Sequence, residues 1–266
     1  MKLIIEDIHK AFDTNQVLKG SSQVFQAGQI YALLGRNGSG KTTLFDIIAN
    51  NKAADQGQIF LDLDGQQRPL VQEDLFYMVA NPLLPNFLTG REFLQFFIDV
   101  NNNRVKETRS LDELFDWIDF DSLERDYLIQ TYSLGTRNKL QMLMFLLIKP
   151  KVILMDEPLT SLDVVVQLQI KKLLKSMEED HIILFSTHIL QLATDLCDQL
   201  VILSDGKLYK LPEEKLRDPN FEDEIIRILS KAGPKGQESN MDEILNQDKS
   251  PMEDLDQKDQ GAEDHA

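Results

Sequence analysis

Two kinds of apolar pattern alternate along this chain. Short continuous runs (Ile30-Tyr31-Ala32-Leu33-Leu34, Val152-Ile153-Leu154-Met155 and Ile182-Ile183-Leu184-Phe185) have strand length and no polar face. Such runs predict strands covered on both sides. After the first run, Leu44, Phe45, Ile47 and Ile48 recur at helical spacing, and residues 140–148 are apolar on nearly every side, which predicts a buried helix. Nearer the N-terminus, short apolar runs at residues 3–5 and 16–18 alternate with turn residues and predict an antiparallel sheet flanking this core. Asp205-Gly206, set between Leu200-Val201-Ile202-Leu203-Ser204 and Lys207-Leu208-Tyr209-Lys210-Leu211, predicts a β-hairpin.

The middle of the chain, residues 82–130, reads as helical. Thr89-Gly90-Arg91-Glu92 is a capping-box pattern, and Phe93, Leu94, Phe96, Phe97 and Val100 follow on one expected face. Leu111, Leu114, Phe115, Trp117 and Ile118 predict a second amphipathic helix. The periodic pattern stops near Lys231. Ala232-Gly233-Pro234-Lys235-Gly236 reads as a linker, and the remaining residues are rich in Asp, Glu, Gln, Asn and Lys. So little apolar surface cannot offset the entropy of ordering, so residues 231–266 are expected to be a disordered acidic tail. Met241, Ile244 and Leu245 are the residues in it that suit a short helix formed on binding.

Composition narrows the classes. The chain has 266 residues with a net charge of −16, which disfavours contact with nucleic acid. Cys197 is the sole cysteine, so no intrachain disulfide forms, as suits a reducing cytosol. Residues 1–7 lack the apolar core of a signal peptide, and the longest apolar run, between Lys139 and Lys149, is too short to span a bilayer.

The candidate chemistry begins at Gly35-Arg36-Asn37-Gly38-Ser39-Gly40-Lys41-Thr42, which fits the P-loop pattern G-x-x-x-x-G-K-[ST] between a predicted strand and a predicted helix. Glycines there let backbone N–H groups wrap a polyphosphate at the positive end of the helix. Lys41 would reach the β and γ phosphates, and the Thr42 hydroxyl would ligate Mg²⁺. Gly35, Asn37, Gly38, Ser39, Gly40, Lys41, Thr42 and Thr43 are the candidate nucleotide contacts. Asp156-Glu157-Pro158 ends the second apolar run, and a carboxylate at the C-terminal end of a buried parallel strand faces the ligand side of such a sheet. Asp156 suits Mg²⁺ or its waters, and Glu157 suits the attacking water. Tyr132-Ser133-Leu134-Gly135-Thr136 opens the buried helix. Ser133 and Gly135 fit an anion site there, but taken alone the pair reads first as a plain N-cap serine.

Taken together, the chain resembles the ATP-binding subunit of an ABC transporter over about residues 1–210. The P-loop and the acid strand match, and Ser133-Leu134-Gly135-Thr136 resembles a variant of the family signature LSGGQ, with Leu134 for its first Gly and Thr136 for its Gln. Ser161-Leu162-Asp163 matches the D-loop, and His188 in Ser186-Thr187-His188 matches the switch histidine. The resemblance implies ATP and Mg²⁺ as cofactors. It also implies a dimer, homomeric or heteromeric, in which the P-loop of one copy and the Ser133–Gly135 region of the other enclose ATP. Glu157 would then activate water, His188 would sense the γ-phosphate, Asp163 would communicate across the interface, and Phe12 would stack under the adenine. A membrane-spanning permease, met by the helical region at the cytoplasmic face of the membrane, would be the partner. One departure stands out: the family has Gln or Glu where alignment of Tyr77-Met78-Val79-Ala80-Asn81-Pro82 puts Ala80, which carries no group for metal or water.

The expected fold is α/β: a P-loop NTPase core of ABC type with an antiparallel β subdomain and a helical subdomain. Residues 1–230 would form the nucleotide-binding domain, with the helical subdomain at about 82–148. The signature variant, and the lack of an importer's extra domain, lean toward export. Two other readings stay open: a non-transport ABC ATPase, against which count the single motif set and the missing coiled-coil insertion, and a weakly hydrolysing regulatory module, which Ala80 favours and Glu157 and His188 oppose.

Overall fold

In the computed structural model, two sheets and a helical region enclose three hydrophobic clusters. The structure describes residues 1–158 and 164–212, with Phe221, Ile225 and Leu229; Ser161-Leu162-Asp163 and the acidic segment from 231 onward lie outside the described residues.

The central sheet contains β3 (Gln29–Leu34), β6 (Leu75–Met78), β7 (Val152–Asp156), β8 (Ile182–Thr187), β9 (Gln199–Ser204) and β10 (Lys207–Lys210), in the order β10-β9-β3-β8-β7-β6. The pairs β9–β3, β3–β8, β8–β7 and β7–β6 are parallel, and β10 closes the edge as the antiparallel arm of the Asp205-Gly206 hairpin. The continuous apolar runs have a direct physical cause. Ile30, Ala32, Leu34, Ile153, Met155, Ile183 and Phe185 point into one cluster, while Tyr31, Leu33, Val152, Leu154, Ile182 and Leu184 point into the other. Side chains alternate across a strand, so along these runs, covered on both faces, both alternating sets are apolar.

One face is covered by α4 (Leu134–Ile148), α5 (Val164–Met177) and α6 (Leu190–Leu196), and the cluster there also takes in Phe221 and Ile225. The other face receives α1 (Lys41–Ile48) and a four-stranded antiparallel sheet, β2-β1-β4-β5, made of β1 (Lys2–Phe12), β2 (Asn15–Gln26), β4 (Gln56–Leu63) and β5 (Gln66–Pro69). Asp74 fastens this sheet to the core. It accepts from Arg68 at 2.6 and 2.7 Å and from Lys151, which precedes β7, at 2.7 Å.

The third cluster joins α2 (Gly90–Val100), α3 (Leu111–Trp117) and α4. Both short helices begin with capping boxes, Thr89 with Glu92 and Ser110 with Glu113, which satisfy N–H groups that the first turn leaves orphaned. The expected apolar face of α2 is narrower than the sequence suggests. Phe93, Leu94 and Phe97 are buried, but Phe96 is 57% and Val100 62% exposed. At 100° per residue those two lie on a flank of the helix, outside the strip covered by α4.

Candidate active site

The P-loop joins the end of β3 to the start of α1. Gly40, the N-cap of α1, has φ +106°, and a β-carbon there would lie 2.6 Å from Val17 Cγ1. A β-carbon at Gly35 would lie 2.5 Å from Ser39 Oγ and 3.0 Å from the Leu203 carbonyl oxygen. Gly40 is thus favoured by conformation and by space, and Gly35 by the crowding of its loop. Gly35 and Lys41 are buried, Ser39, Gly40 and Thr43 half-buried, and Asn37, Gly38 and Thr42 face solvent.

Parallel register brings the acids to the same edge. Asp156 ends β7 level with Ser186 of β8. Asp156 accepts from the Thr42 hydroxyl at 2.7 Å through one oxygen and from the Ser186 hydroxyl through the other. Glu157 turns off the strand with φ +48°, a left-handed conformation uncommon for a residue with a β-carbon. Its N–H donates to Ser186 Oγ at 3.0 Å, and its carboxylate lies 2.9 Å from His188 Nδ1 and 3.8 Å from Lys41 Nζ. Lys41 Nζ also donates to the carbonyls of Gly35 and Arg36, so its side chain arches back across the loop. Burial pushes the Lys41 ammonium below its ordinary pKa, with the Glu157 and Asp156 carboxylates pulling the other way.

Lys41, Thr42, Asp156, Glu157 and His188 are therefore brought into one constellation. Ser186 belongs to it too, holding Asp156 with its proton and Glu157 with its oxygen. Sequence reading gave Ser186 no role. The available signal was its position two residues before His188 at the end of a strand. Three other expected residues lie elsewhere. Phe12 ends β1, is 42% exposed, and has Lys10 and Lys52 ammonium groups 5.6 and 5.8 Å from its ring centre. Ser133 caps α4: its Oγ accepts from the Thr136 N–H at 3.0 Å and pairs with Thr136 Oγ1 at 2.8 Å. Gly135 is in the first turn of the same helix. Asp163 lies outside the described residues. Ala80 sits two residues past Met78, the register partner of Met155, so the backbone carries it to the edge where Asp156 and Glu157 stand. Helix α4 reaches the same loop, because Asn138 Nδ2 donates to the Pro158 carbonyl at 3.3 Å.

Two observations bear on a nucleotide and its metal. Among the described residues the buried Ser39 Oγ has no hydrogen-bond partner, as befits a donor aimed at a phosphate oxygen. Thr42 and Asp156 place two hard oxygen atoms side by side, a donor set that suits Mg²⁺. Among the described residues no group of three or more His, Cys, Asp and Glu could hold a metal by itself.

Fold and site together define a P-loop ATPase with a parallel core, an antiparallel sheet and a helical insertion. The sequence model of the ABC transporter family matches residues 18–160. An uncharacterized ABC transporter ATP-binding protein of Bacillus subtilis, YdbJ, is 32% identical over 232 residues, covering 85% of this chain and 74% of that protein. The sulfate/thiosulfate import ATP-binding protein CysA 1 of Agrobacterium fabrum is 31% identical over 216 residues, covering 78% of this chain and 62% of its own length. Among solved structures, an ATP binding subunit of an ABC transporter superposes with a TM-score of 0.71 at 23% identity, covering 86% of this chain and 100% of that one. The ATP-binding cassette MJ0796, a dimer bound to ADP and Pi after hydrolysis, superposes at 0.65 and 20% identity, covering 79% of this chain and 99% of that one. The chain belongs to the ABC transporter family and is an ATPase of that family.

Proposed function

We propose that the chain is the ATP-hydrolysing subunit of a transporter and works as a dimer beneath a membrane-spanning permease. The observation that carries this reading is the cluster of Thr42, Asp156, Glu157, His188 and Lys41 at one sheet edge. Lys41 and the P-loop N–H groups hold the phosphates, and Phe12 offers its exposed ring to the base. Thr42 and Asp156 hold Mg²⁺, which when bound neutralises charge building up on the phosphates. The Glu157 carboxylate orients the attacking water and accepts its proton as the terminal P–O bond breaks. His188, held by Glu157, faces the same side of the site and positions the γ-phosphate. Ser133 and Gly135 serve the nucleotide of the other copy, and Asp163 joins them at that interface. Residues 1–230 make up this domain, about 82–148 its helical part, and 231–266 an acidic tail.

Support for a permease comes from the helical region. Leu83 is 94% and Phe87 77% exposed, and the flank residues Phe96 and Val100 of α2 are exposed as well. An apolar group of this kind on one region suits a protein partner. Among the described residues no helix is long and apolar enough to cross a membrane, so the transport path belongs to the partner. The signature variant at Leu134 and Thr136 favours export. Import is the second reading, favoured by relatives such as CysA 1 that carry it in their names. Uptake of substrate into inverted vesicles, against uptake into right-side-out ones, separates the two. The reading as a whole is tested by sedimentation with membranes of the source cells: the native chain is expected to co-sediment, and Phe87→Arg is expected to release it while leaving phosphate release in solution unchanged. A native chain that stays in the supernatant contradicts the permease assignment.

A further inference from the structure

A cleft of about 320 Å³ opens between the C-terminal end of α3, the outer side of α4 and α5, away from the P-loop edge. Trp117, Ile118, Met142, Ile170 and Leu173 supply its apolar lining. Trp117 is 39% exposed, with the Arg109 guanidinium stacked 3.9 Å from its ring and tied to Glu107. The polar residues of the lining are Lys139, Lys172, Ser176 and Asp119, two cations against one acid, and the Asp119 carbonyl accepts from Lys139 Nζ at 2.7 Å. An apolar lining with more cations than acids is an unusual feature on a chain of net charge −16.

The chain carries a segment of complementary design. Met241-Asp242-Glu243-Ile244-Leu245 has apolar residues at helical spacing i, i+3 and i+4 with two carboxylates between them. It sits in a stretch, residues 231–266, that holds ten acidic and four basic residues. The geometry of reach is also favourable. Leu229, the last described residue, packs against the same hydrophobic cluster that contains the cleft residues Met142 and Ile170. From Leu229 the chain spans about 40 Å to Met241 when extended, and about 19 Å as a coil.

We propose that the α3–α4–α5 cleft is a docking site for residues 241–245 of the same chain, with Met241, Ile244 and Leu245 against Trp117, Ile118 and Leu173, and Asp242 and Glu243 toward Lys139 and Lys172. A tether this short holds the segment at an effective concentration on the order of 1 mM, so docking of about 100 μM intrinsic affinity keeps the cleft mostly occupied. The docked segment bridges the helical region, through α3, to the core, through α5. It thereby restrains movement of one against the other. The inference does not rest on the transport reading, and its test uses no nucleotide.

Trp117 is the sole tryptophan and lines the cleft, so its fluorescence reports occupancy without a label. Acrylamide quenching of the native chain is expected to be about twofold weaker than that of a chain ending at Ser230, or of the full chain carrying Met241→Asp and Leu245→Asp, as an occupied cleft requires. A peptide of residues 237–256 added to the shortened chain restores the protection, and Lys172→Glu in the full chain removes it with the tail intact. Thermal melting confirms that each variant is folded. Equal quenching of the native, shortened and doubly substituted chains overturns the proposal. So does protection that grows with protein concentration, since that assigns the cleft to a second copy.

Discussion

Replacing Ser186 with alanine removes one hydroxyl and disturbs both acids of the site. In the native chain that hydroxyl donates to the Asp156 carboxylate and accepts the Glu157 N–H at 3.0 Å, with Ser186 itself fully buried. A hydrogen bond to a charged group contributes about 1.5–3 kcal/mol, and a half-buried N–H left without a partner costs about 1–3 kcal/mol. Taking the lower part of each range, Ser186→Ala is expected to lose about 3 kcal/mol, a fall in melting midpoint of roughly 6–12 °C for a domain of this size. The catalytic consequence follows from backbone geometry. Glu157 is held at φ +48°, a conformation that costs on the order of 1 kcal/mol or more and persists only while its surroundings enforce it. Without the Ser186 bond the peptide relaxes and the Glu157 carboxylate moves, and a displacement on the order of 1 Å lowers turnover by about a hundredfold. Nucleotide affinity changes much less, because the P-loop is untouched. Thermal melts, equilibrium ATP binding and phosphate release measure the three quantities separately. Ser186→Thr restores the hydroxyl and is expected to recover most of the rate. A Ser186→Ala protein that melts within about 0.5 kcal/mol of native and turns over at full rate would refute the reasoning.

Asp74 gives a pH prediction. Burial pushes its carboxyl up, but hydrogen bonds from Arg68 and Lys151 outweigh that and hold it at about 2, against 3.8 for a free aspartate. A depressed carboxyl contributes stability above its unfolded pKa and loses it as pH falls from about 4 to about 2, here about 2 kcal/mol. Asp74→Asn should therefore be less stable than native at pH 6 and nearly equal to it near pH 2; urea titrations that show the same gap at both pH values would contradict this. Ala80→Gln returns an amide to the edge beside Asp156 and Glu157, and one more orienting hydrogen bond of about 1 kcal/mol is expected to raise phosphate release about fivefold. An unchanged rate, alone and with the membrane partner, would mean that the position is silent.

The core was legible in the sequence because burial on both faces leaves a trace that survives without context. The runs ending at Leu34, Met155 and Phe185 have no polar position, and the structure sends their alternate side chains into two clusters. The P-loop was legible because its tight turn needs glycine where φ is positive, as at Gly40, and little side-chain volume where the chain is crowded, as at Gly35. Partner relationships were not. The role of Ser186 depends on the register Asp156↔Ser186, which links residues 30 positions apart and appears only once β7 and β8 pair. Apolar spacing puts Phe96 and Val100 on one side of α2 with Phe93, Leu94 and Phe97, but it does not show which flank the covering helix α4 leaves exposed. Ser133 illustrates a third case. Within its own chain it is the N-cap of α4, a role that the apolar pattern of the helix does not separate from an anion site.

The central claim is that Glu157 accepts the proton of the attacking water at a site built by the P-loop and Asp156. Glu157→Gln keeps size and the hydrogen bond through its N–H to Ser186, and replaces the proton acceptor with an amide that cannot take one. Phosphate release and ATP binding measured on the same Glu157→Gln preparation, together with sizing chromatography in ATP, test the claim most directly. The account predicts native-like ATP binding, release slowed by about a hundredfold or more, and accumulation of an ATP-bound dimer. Full phosphate release by the variant would remove Glu157 from the reaction and with it the chemical reading of the site.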